Sequence, residues 1–367
     1  MKVLIWGTGY TAELFWEYRK NNWGFDVAAY IDNDCKKWDC EYRGKMIFSP
    51  KMVMELDYEK IIICVQDYQS IYRQLTEEYH VEESNILTFD EACEAVEKCL
   101  GERLIDKYTE SDDEDIKKVI GHYRKNGFNI YGYYDKVDMD YQVFYDADQF
   151  PYVMFEGKRM YFPKECSFAY KNGQYFAKNI LGEQMSGSPH LYVRDQEEIK
   201  KDSVIVDAGV CEGNFALRYV EEAKRIYLIE SDPVWMGALR KTFAEYSDKV
   251  VFCNKFLGRY DNENTITLDR LVDEKIDFLK MDIEGAEVDA LLGARRVLEQ
   301  SDARCAVCSY HKQNDERYIR YLLNNYGYET DTSEGYMFYI YDDDIFDSLD
   351  FRRGIVHAVK GERPISE

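Results

Sequence analysis

Val204-Ile-Val-Asp207-Ala-Gly209-Val-Cys-Glu212-Gly213-Asn-Phe215 reads as a buried strand that runs into a glycine-rich turn and then a helix. Gly209 and Gly213 remove Cβ atoms where the backbone must turn tightly and approach a ligand. Asp207 places a carboxylate at the C-terminal end of the strand, the ligand-binding edge of an open α/β sheet. Twenty-three residues after Asp207, Glu230 closes a second apolar run, Arg225-Ile-Tyr-Leu-Ile-Glu230. That spacing suits an acid that hydrogen-bonds a ribose diol. Further on, Ile276-Asp-Phe-Leu-Lys280-Met-Asp282-Ile-Glu284-Gly-Ala-Glu287 repeats the order of apolar strand, charged tip, glycine and helix.

The turn is Gly-x-x-x-Gly after an aspartate, unlike the Gly-x-Gly-x-x-Gly that presents helix N–H groups to a pyrophosphate. S-adenosylmethionine carries no phosphate, and one carboxylate at each of two adjacent strand ends fits its ribose and its methionine end. At these residues the chain resembles the FkbM family of S-adenosylmethionine-dependent methyltransferases. The resemblance rests on Val206-Asp-Ala-Gly-x-x-x-Gly-x-Phe215, Thr267-Leu-Asp269-x-Leu271, Leu279-Lys-Met-Asp282-Ile-Glu-Gly-Ala-Glu287 with Leu292-Gly-Ala294, and Ser309-Tyr-His311-Lys. It spans about half of the chain, roughly residues 185 to 360. It implies a class I methyltransferase-type doubly wound sheet of seven strands, the last pair antiparallel, and S-adenosylmethionine as cofactor. The expected cofactor-binding residues are Asp207, Gly209, Glu212, Gly213, Asn214, Phe215, Glu230, Ser231 and Asp282. His311, Asp282 and Glu284 sit at or just after strand ends and are the expected catalytic group, with no metal required.

Seventy acidic against forty-seven basic residues give a net charge of −23, which repels a polyanion over most of the surface and argues against a nucleic-acid partner. No apolar run is long enough for a membrane helix, and Met1-Lys-Val-Leu-Ile-Trp6 enters a folded motif directly, so a cytoplasmic location is expected. Ten cysteines without repeated pair spacing suit a reducing compartment. Cys305-x-x-Cys308 lies in a strand-like run with no second pair and reads as core.

The first 95 residues carry an α/β pattern of their own. Lys2–Trp6 is a strand, Gly7-Thr-Gly9 a glycine turn, and Leu14, Phe15 and Tyr18 the stripe of a following helix. A second strand, Val27–Ile31, ends at Asp32, and a third covers Lys60–Val65. This is a Rossmann-like unit with a second nucleotide site at Gly7, Gly9 and Asp32, and it resembles the N-terminal nucleotide-binding domain of sugar-modifying transferases of polysaccharide assembly. Residues 96–190 read as a helical and aromatic-rich connector. Its rings, among them Tyr131, Tyr141, Phe144, Tyr152, Tyr161, Phe168 and Tyr170, suit either sugar stacking or packing of an irregular segment. The turn Ser186-Gly-Ser-Pro-His190, just before the catalytic domain of residues 191–367, is placed to serve as a lid or a pocket wall. There, strands are expected near 203–207, 225–230, 249–253, 276–282, 304–309, 337–341 and 355–359.

The leading expectation is an S-adenosylmethionine-dependent O-methyltransferase acting on a hydroxyl of a sugar or glycan precursor, with a nucleotide-sugar as a candidate ligand and room for a homo-oligomer. Two other readings compete with it. One is an NAD- or nucleotide-sugar-dependent oxidoreductase that uses residues 1–100, although no Tyr-x-x-x-Lys pair follows at the usual distance. The other is a non-catalytic module that binds S-adenosylmethionine.

Overall fold

Apolar runs bounded by glycine turns become the strands of two separate, mainly parallel sheets. A computed structural model describes residues 1–17, 25–65, 67–135, 141–164, 181–342 and 345–361. Tyr18, Phe168 and Tyr170 fall outside the described residues. The chain divides into two units, Met1–Phe128 with Ile340–Leu349, and Asn129–Tyr339 with Asp350–Glu367.

In the first unit Lys2–Trp6 (β1), Asp26–Ile31 (β2), Glu41–Tyr42 (β3), Lys45–Phe48 (β4), Lys60–Ile63 (β5) and Ile86–Thr88 (β6) form one sheet in the order β3-β4-β2-β1-β5-β6. All its pairs are parallel except β3–β4. The domain boundary expected after residue 95 falls inside the helix Phe89–Tyr108, which Thr88 and Glu91 start with a reciprocal capping box. Ala92, Val96, Leu100 and Leu104 recur every four residues and are all buried, so the apolar stripe carries the helix through that boundary. This helix and the next, Glu114–Asn126, belong to the first unit. The return segment is tied to the same helix, with Arg103 and Tyr108 donating to the carbonyls of Phe346 and Leu349.

The second unit opens with the antiparallel strands Phe144–Tyr145 (β7), Pro151–Phe155 (β8) and Lys158–Tyr161 (β9). Its main sheet is built from Val204–Ala208 (β10), Arg225–Ile229 (β11), Val250–Cys253 (β12), Phe278–Met281 (β15), Arg304–Cys308 (β16), Tyr328–Thr332 (β17) and Ile355–Lys360 (β18). Phe256–Leu257 (β13) and Thr265–Ile266 (β14) form a separate short pair. The seven strands run in the order β12-β11-β10-β15-β16-β18-β17, and β18 is antiparallel to both of its neighbours. This is the mixed α/β, methyltransferase-type architecture that the sequence led us to expect. One strand is displaced. The expected strand at 337–341 makes only an isolated bridge between Met337 and Arg352, and the sheet takes Tyr328–Thr332 instead. That strand alternates buried Tyr328 with exposed and half-buried polar residues, as an edge strand does, and so it lacks a continuous apolar run.

The aromatic segment is partly absorbed into the core. Val153, Phe155, Met160 and Phe162 pack with Phe215, Leu239 and Phe243, while Phe144 stacks on its cross-strand neighbour Tyr152, which meets Tyr161 at a tilt. Cys305 and Cys308 are buried free thiols within β16.

The chain leaves β10 toward β11 and β12 on one side and later returns to β15 and β16 on the other. The order reverses between β10 and β15, and the C-terminal edge there is the crevice in which open α/β sheets bind ligands. At that point Gly209 adopts φ +73°, and a Cβ on it would lie 1.6 Å from the Asp282 carbonyl oxygen. Gly209→Ala is therefore expected to cost about 3 kcal/mol or more in urea unfolding, through left-handed strain and backbone collision together. Gly9→Ala, where nothing stands within 4 Å, should stay within about 0.5 kcal/mol of wild type.

Candidate active site

Backbone geometry at the ends of β10, β11 and β15 brings three loops together. The Gly209 N–H donates to Ile229 O at 2.9 Å, and the Asp282 N–H donates to Ala208 O at 3.0 Å. Gly213 is left-handed at φ +82°, with Leu239 Cδ2 2.9 Å from where its Cβ would be, and it caps the helix Asn214–Tyr219. Cys211 also takes a positive φ, +51°, which is uncommon for a residue with a side chain. The Glu230 carboxylate holds that turn. It accepts the Cys211 N–H at 3.0 Å and the Asp232 N–H at 2.8 Å, one on each oxygen. Asn254 fixes the same corner by donating to the carbonyls of Glu230 and Ser231.

Beneath the turn lies a buried ion pair. Asp207 and Lys280 are register partners on β10 and β15, with Lys280 Nζ 3.1 Å from Asp207 Oδ1. Asp207 is wholly buried, and neither of its oxygens has an aligned hydrogen bond, so the attraction is that of two close charges rather than of a directed bond. Lys280 Nζ donates instead to the carbonyls of Ala208 and Gly209, at the root of the glycine turn. Burial pushes the Asp207 carboxyl up despite Lys280. Burial works against the Lys280 charge too, but Asp207 and Asp282 outweigh it and raise that group. Asp207, expected against the ligand, thus faces the interior of the sheet and positions the turn. Glu212 is also buried, and desolvation pushes its carboxyl up to about 7.

Asp282 gathers donors from four residues. Tyr192 Oη donates to Oδ2 at 2.7 Å and Tyr310 Oη to Oδ1 at 3.3 Å, while His190 Nε2 stands 3.4 Å from Oδ2 and His311 Nε2 3.3 Å from Oδ1. Burial would raise its carboxyl, but the bond and charge from His190, then His311 and Lys280, hold it far below the usual carboxylate range. His311 is buried and meets Glu287 Oε1 at 3.0 Å through Nδ1, with Glu284 Oε2 3.6 Å from Nε2. Neither ring nitrogen is aligned as a hydrogen bond, so these too are close-range charge contacts. Burial lowers the imidazole's affinity for a proton, yet Glu287, Asp282 and Glu284 overcome it and raise the group to about 9. Asp282 and Glu287 meet different nitrogens of one ring, Nε2 and Nδ1. Glu284 differs from the rest: its side chain is 78% exposed, its φ is +56°, and it accepts Tyr339 Oη at 2.7 Å.

The structure therefore assembles Asp282, Glu284 and His311 at one strand edge, and Gly209, Glu212, Gly213, Asn214, Phe215, Glu230 and Ser231 around the neighbouring turn. His311 is buried and is not a surface histidine. Lys280 makes its ion pair with Asp207 rather than with the carboxylates that follow it in sequence. Sequence reasoning placed His190 only in a pocket-wall turn and missed Tyr192, Tyr310, Glu183 and Glu287 as site residues. A lysine inside the all-buried run Phe278–Met281 was the available signal for an internal ion pair, whereas Tyr192 and His190 reach Asp282 from 90 or more residues away without a local pattern. In the first unit Gly7 turns at φ +113° against Cys64 O. Asp32 there already receives Thr8 Oγ1 at 2.5 Å, Lys37 Nζ at 2.8 Å and the Asp34 N–H at 2.9 Å.

Residues 227–330 match the family described as the methyltransferase FkbM domain. That segment of the second unit is similar to an FkbM domain. The match runs from β11 into β17, spanning Glu230, Asp282, Glu284 and His311 but not the glycine turn, and it makes the chain a methyltransferase. Residues 1–87 match a family described as C2185-like, N-terminal. No curated protein matches the chain. Among solved structures it is similar to the methyltransferase FkbM of Methylobacillus flagellatus KT, at 17% identity and a TM-score of 0.43 over 98% of this chain and 89% of that one. It is similar also to precorrin-6y C5,15-methyltransferase of Geobacter metallireducens GS-15, at 15% identity and a TM-score of 0.32 over 46% and 92%. A Streptococcus mutans protein in complex with SAH gives 15% and 0.32 over 44% and 91%. Likenesses so distant decide neither ligand nor mechanism. Among the described residues, no helix is long and apolar enough to cross a membrane.

Two measurements test the buried charges of the second unit. Lys280→Met strands the Asp207 carboxylate and should cost about 3–5 kcal/mol in urea unfolding, much of it recovered on adding Asp207→Asn. For His311 the folded value of about 9 lies above the ordinary 6.5, so its stabilisation is complete below pH 6.5 and is lost as pH rises through about 9. Stability should fall by about 3 kcal/mol across that window, and His311→Gln should flatten the fall.

Proposed function

We propose that the chain is an S-adenosylmethionine-dependent O-methyltransferase whose acceptor is a hydroxyl of a sugar or glycan precursor. The observation that carries this reading is the placement of Glu230 and Asp282 on either side of the glycine turn, at the switch point of an FkbM domain. Each Glu230 oxygen spends one lone pair on a loop N–H and keeps others for a ribose diol. Gly209 and Gly213 let the backbone approach the cofactor, while Glu212, Asn214, Phe215 and Ser231 complete the wall. Excess negative charge suits a cationic ligand: Asp207, Glu212, Asp282 and Glu287 are buried or nearly so, against Lys280 and His311.

S-adenosylmethionine supplies a methyl group on a sulfonium sulfur. The protein's main contribution is alignment, because holding the acceptor oxygen in line at near-attack distance lowers the barrier by ~7–11 kcal/mol, more than a general base provides. Glu287, Asp282 and Glu284 around His311 favour its imidazolium form, which has no free lone pair with which to accept a proton. It steadies Asp282 and Glu284 instead. Glu284 stands at the exposed rim and is the carboxylate that meets the acceptor hydroxyl. The tyrosine hydroxyls of residues 192, 310 and 339 and the carboxylates around them favour a polyhydroxylated acceptor. In the first unit, a nucleotide-sugar at the strand ends would compete with Lys37 and Thr8 for Asp32.

Calorimetric titration with S-adenosylhomocysteine tests the cofactor assignment. Glu230→Ala should weaken binding by at least ~2 kcal/mol, through loss of a charge-assisted hydrogen-bond acceptor. Unchanged affinity, or binding of NAD in preference, would contradict it.

A further inference from the structure

Five ionisable side chains of the second unit stand in a line. Glu183 Oε2 lies 3.6 Å from His190 Nδ1, His190 Nε2 3.4 Å from Asp282 Oδ2, Asp282 Oδ1 3.3 Å from His311 Nε2, and His311 Nδ1 3.0 Å from Glu287 Oε1. Three carboxylates alternate with two imidazoles, and the line meets solvent at Glu284, 3.6 Å from His311 Nε2. We infer that arrival of the cationic cofactor expels the proton that His311 holds between Asp282 and Glu287, so that the site acquires a base only once it is loaded. The inference rests on the cofactor reading above.

Charge balance carries it. The groups facing His311 are Glu287 from the helix Glu287–Leu292, Asp282 and Glu284 from the tip of β15, and the rings of Tyr310 and Tyr339. Lys312 is its chain neighbour, Arg352 Nη1 donates to its carbonyl oxygen, and the Asp315 carboxylate acts through its field. The Asp282 carboxylate is shared, so a sulfonium cation beside it supplies the positive charge that the imidazolium otherwise provides. A unit charge at ~7 Å and an effective dielectric of ~20 weakens proton binding roughly 50-fold. The proton leaves to solvent past Glu284. In the reaction the C–O bond forms as the S–CH₃ bond breaks, the sulfur keeps the electron pair, and the hydroxyl proton passes by way of Glu284 to His311. S-adenosylhomocysteine carries one positive charge fewer than S-adenosylmethionine, so the imidazolium that remains restores the starting charge. His311 is thus a positioning residue in the resting site and a proton sink in the loaded one, while Glu284 is the group that touches the acceptor.

Calorimetry of the full chain at pH 8, in buffers of different ionisation enthalpy, counts protons released on binding. At that pH the Glu212 carboxyl, at about 7, is largely ionised and contributes little. S-adenosylmethionine should release more than half a proton per site and S-adenosylhomocysteine close to none, and His311→Gln should bind the former without the release. Because that variant could misfold, the His311 ring is also followed by NMR in the wild-type protein, which has five histidines. Its apparent pKa should fall by more than one unit with S-adenosylmethionine and stay in place with S-adenosylhomocysteine. Equal proton release by the two ligands, or an unmoved His311, overturns the inference while leaving the cofactor reading intact. If neither ligand binds, the cofactor reading fails and the inference falls with it.

Discussion

The second unit depends on one cross-strand contact, the charged pair of Asp207 on β10 and Lys280 on β15. Both side chains are withdrawn from water inside a parallel sheet, where each charge is tolerable only because the other is there. The same lysine donates to the carbonyls of Ala208 and Gly209, so the pair fixes the start of the glycine turn as well as the register of the strands. Gly209 lets the two backbones close to the distance that this register requires, and Asp282 is delivered beside the turn as a consequence. Glu230 then secures the other flank through the Cys211 N–H.

Above that floor the site is a set of carboxylates sharing too few cations. Asp282 has four side-chain partners and remains ionised, Glu212 is held near neutrality by burial, and His311 keeps a proton because three carboxylates surround it. An arrangement of this kind discriminates by charge before it discriminates by shape. A phosphorylated acceptor would meet repulsion at this edge, whereas a sulfonium and neutral hydroxyls would not.

Much of the second unit was legible because its decisive features are local. The strand, turn and helix of 204–215, the repeat of that pattern at 276–287, and the acid ending 225–230 each announce themselves within a dozen residues. Features that form only across the fold were hidden. No local pattern ties Tyr192 or His190 to Asp282 until the fold carries them there. The edge strand Tyr328–Thr332 has no apolar run to betray it, and the apolar residues near 337 are buried without pairing as a strand. Asp207 was read correctly as a strand-end carboxylate, but only its register with Lys280 reveals that it turns inward. In the first unit, Gly7 and Asp32 stand where their spacing placed them, and the chain's own Lys37 and Thr8 occupy Asp32. The helix Phe89–Tyr108 runs through the domain boundary expected after residue 95 because its stripe of buried residues continues to Leu104.

The central claim, that the turn between β10 and β15 is a cofactor cradle, is tested most directly by a crystal structure of the chain with S-adenosylhomocysteine. The account predicts density across residues 209–213, with both ribose hydroxyls on the Glu230 carboxylate and the sulfur on the Asp282 side. A ligand bound elsewhere, for example at the strand ends of the first unit, with the turn unoccupied, would contradict it.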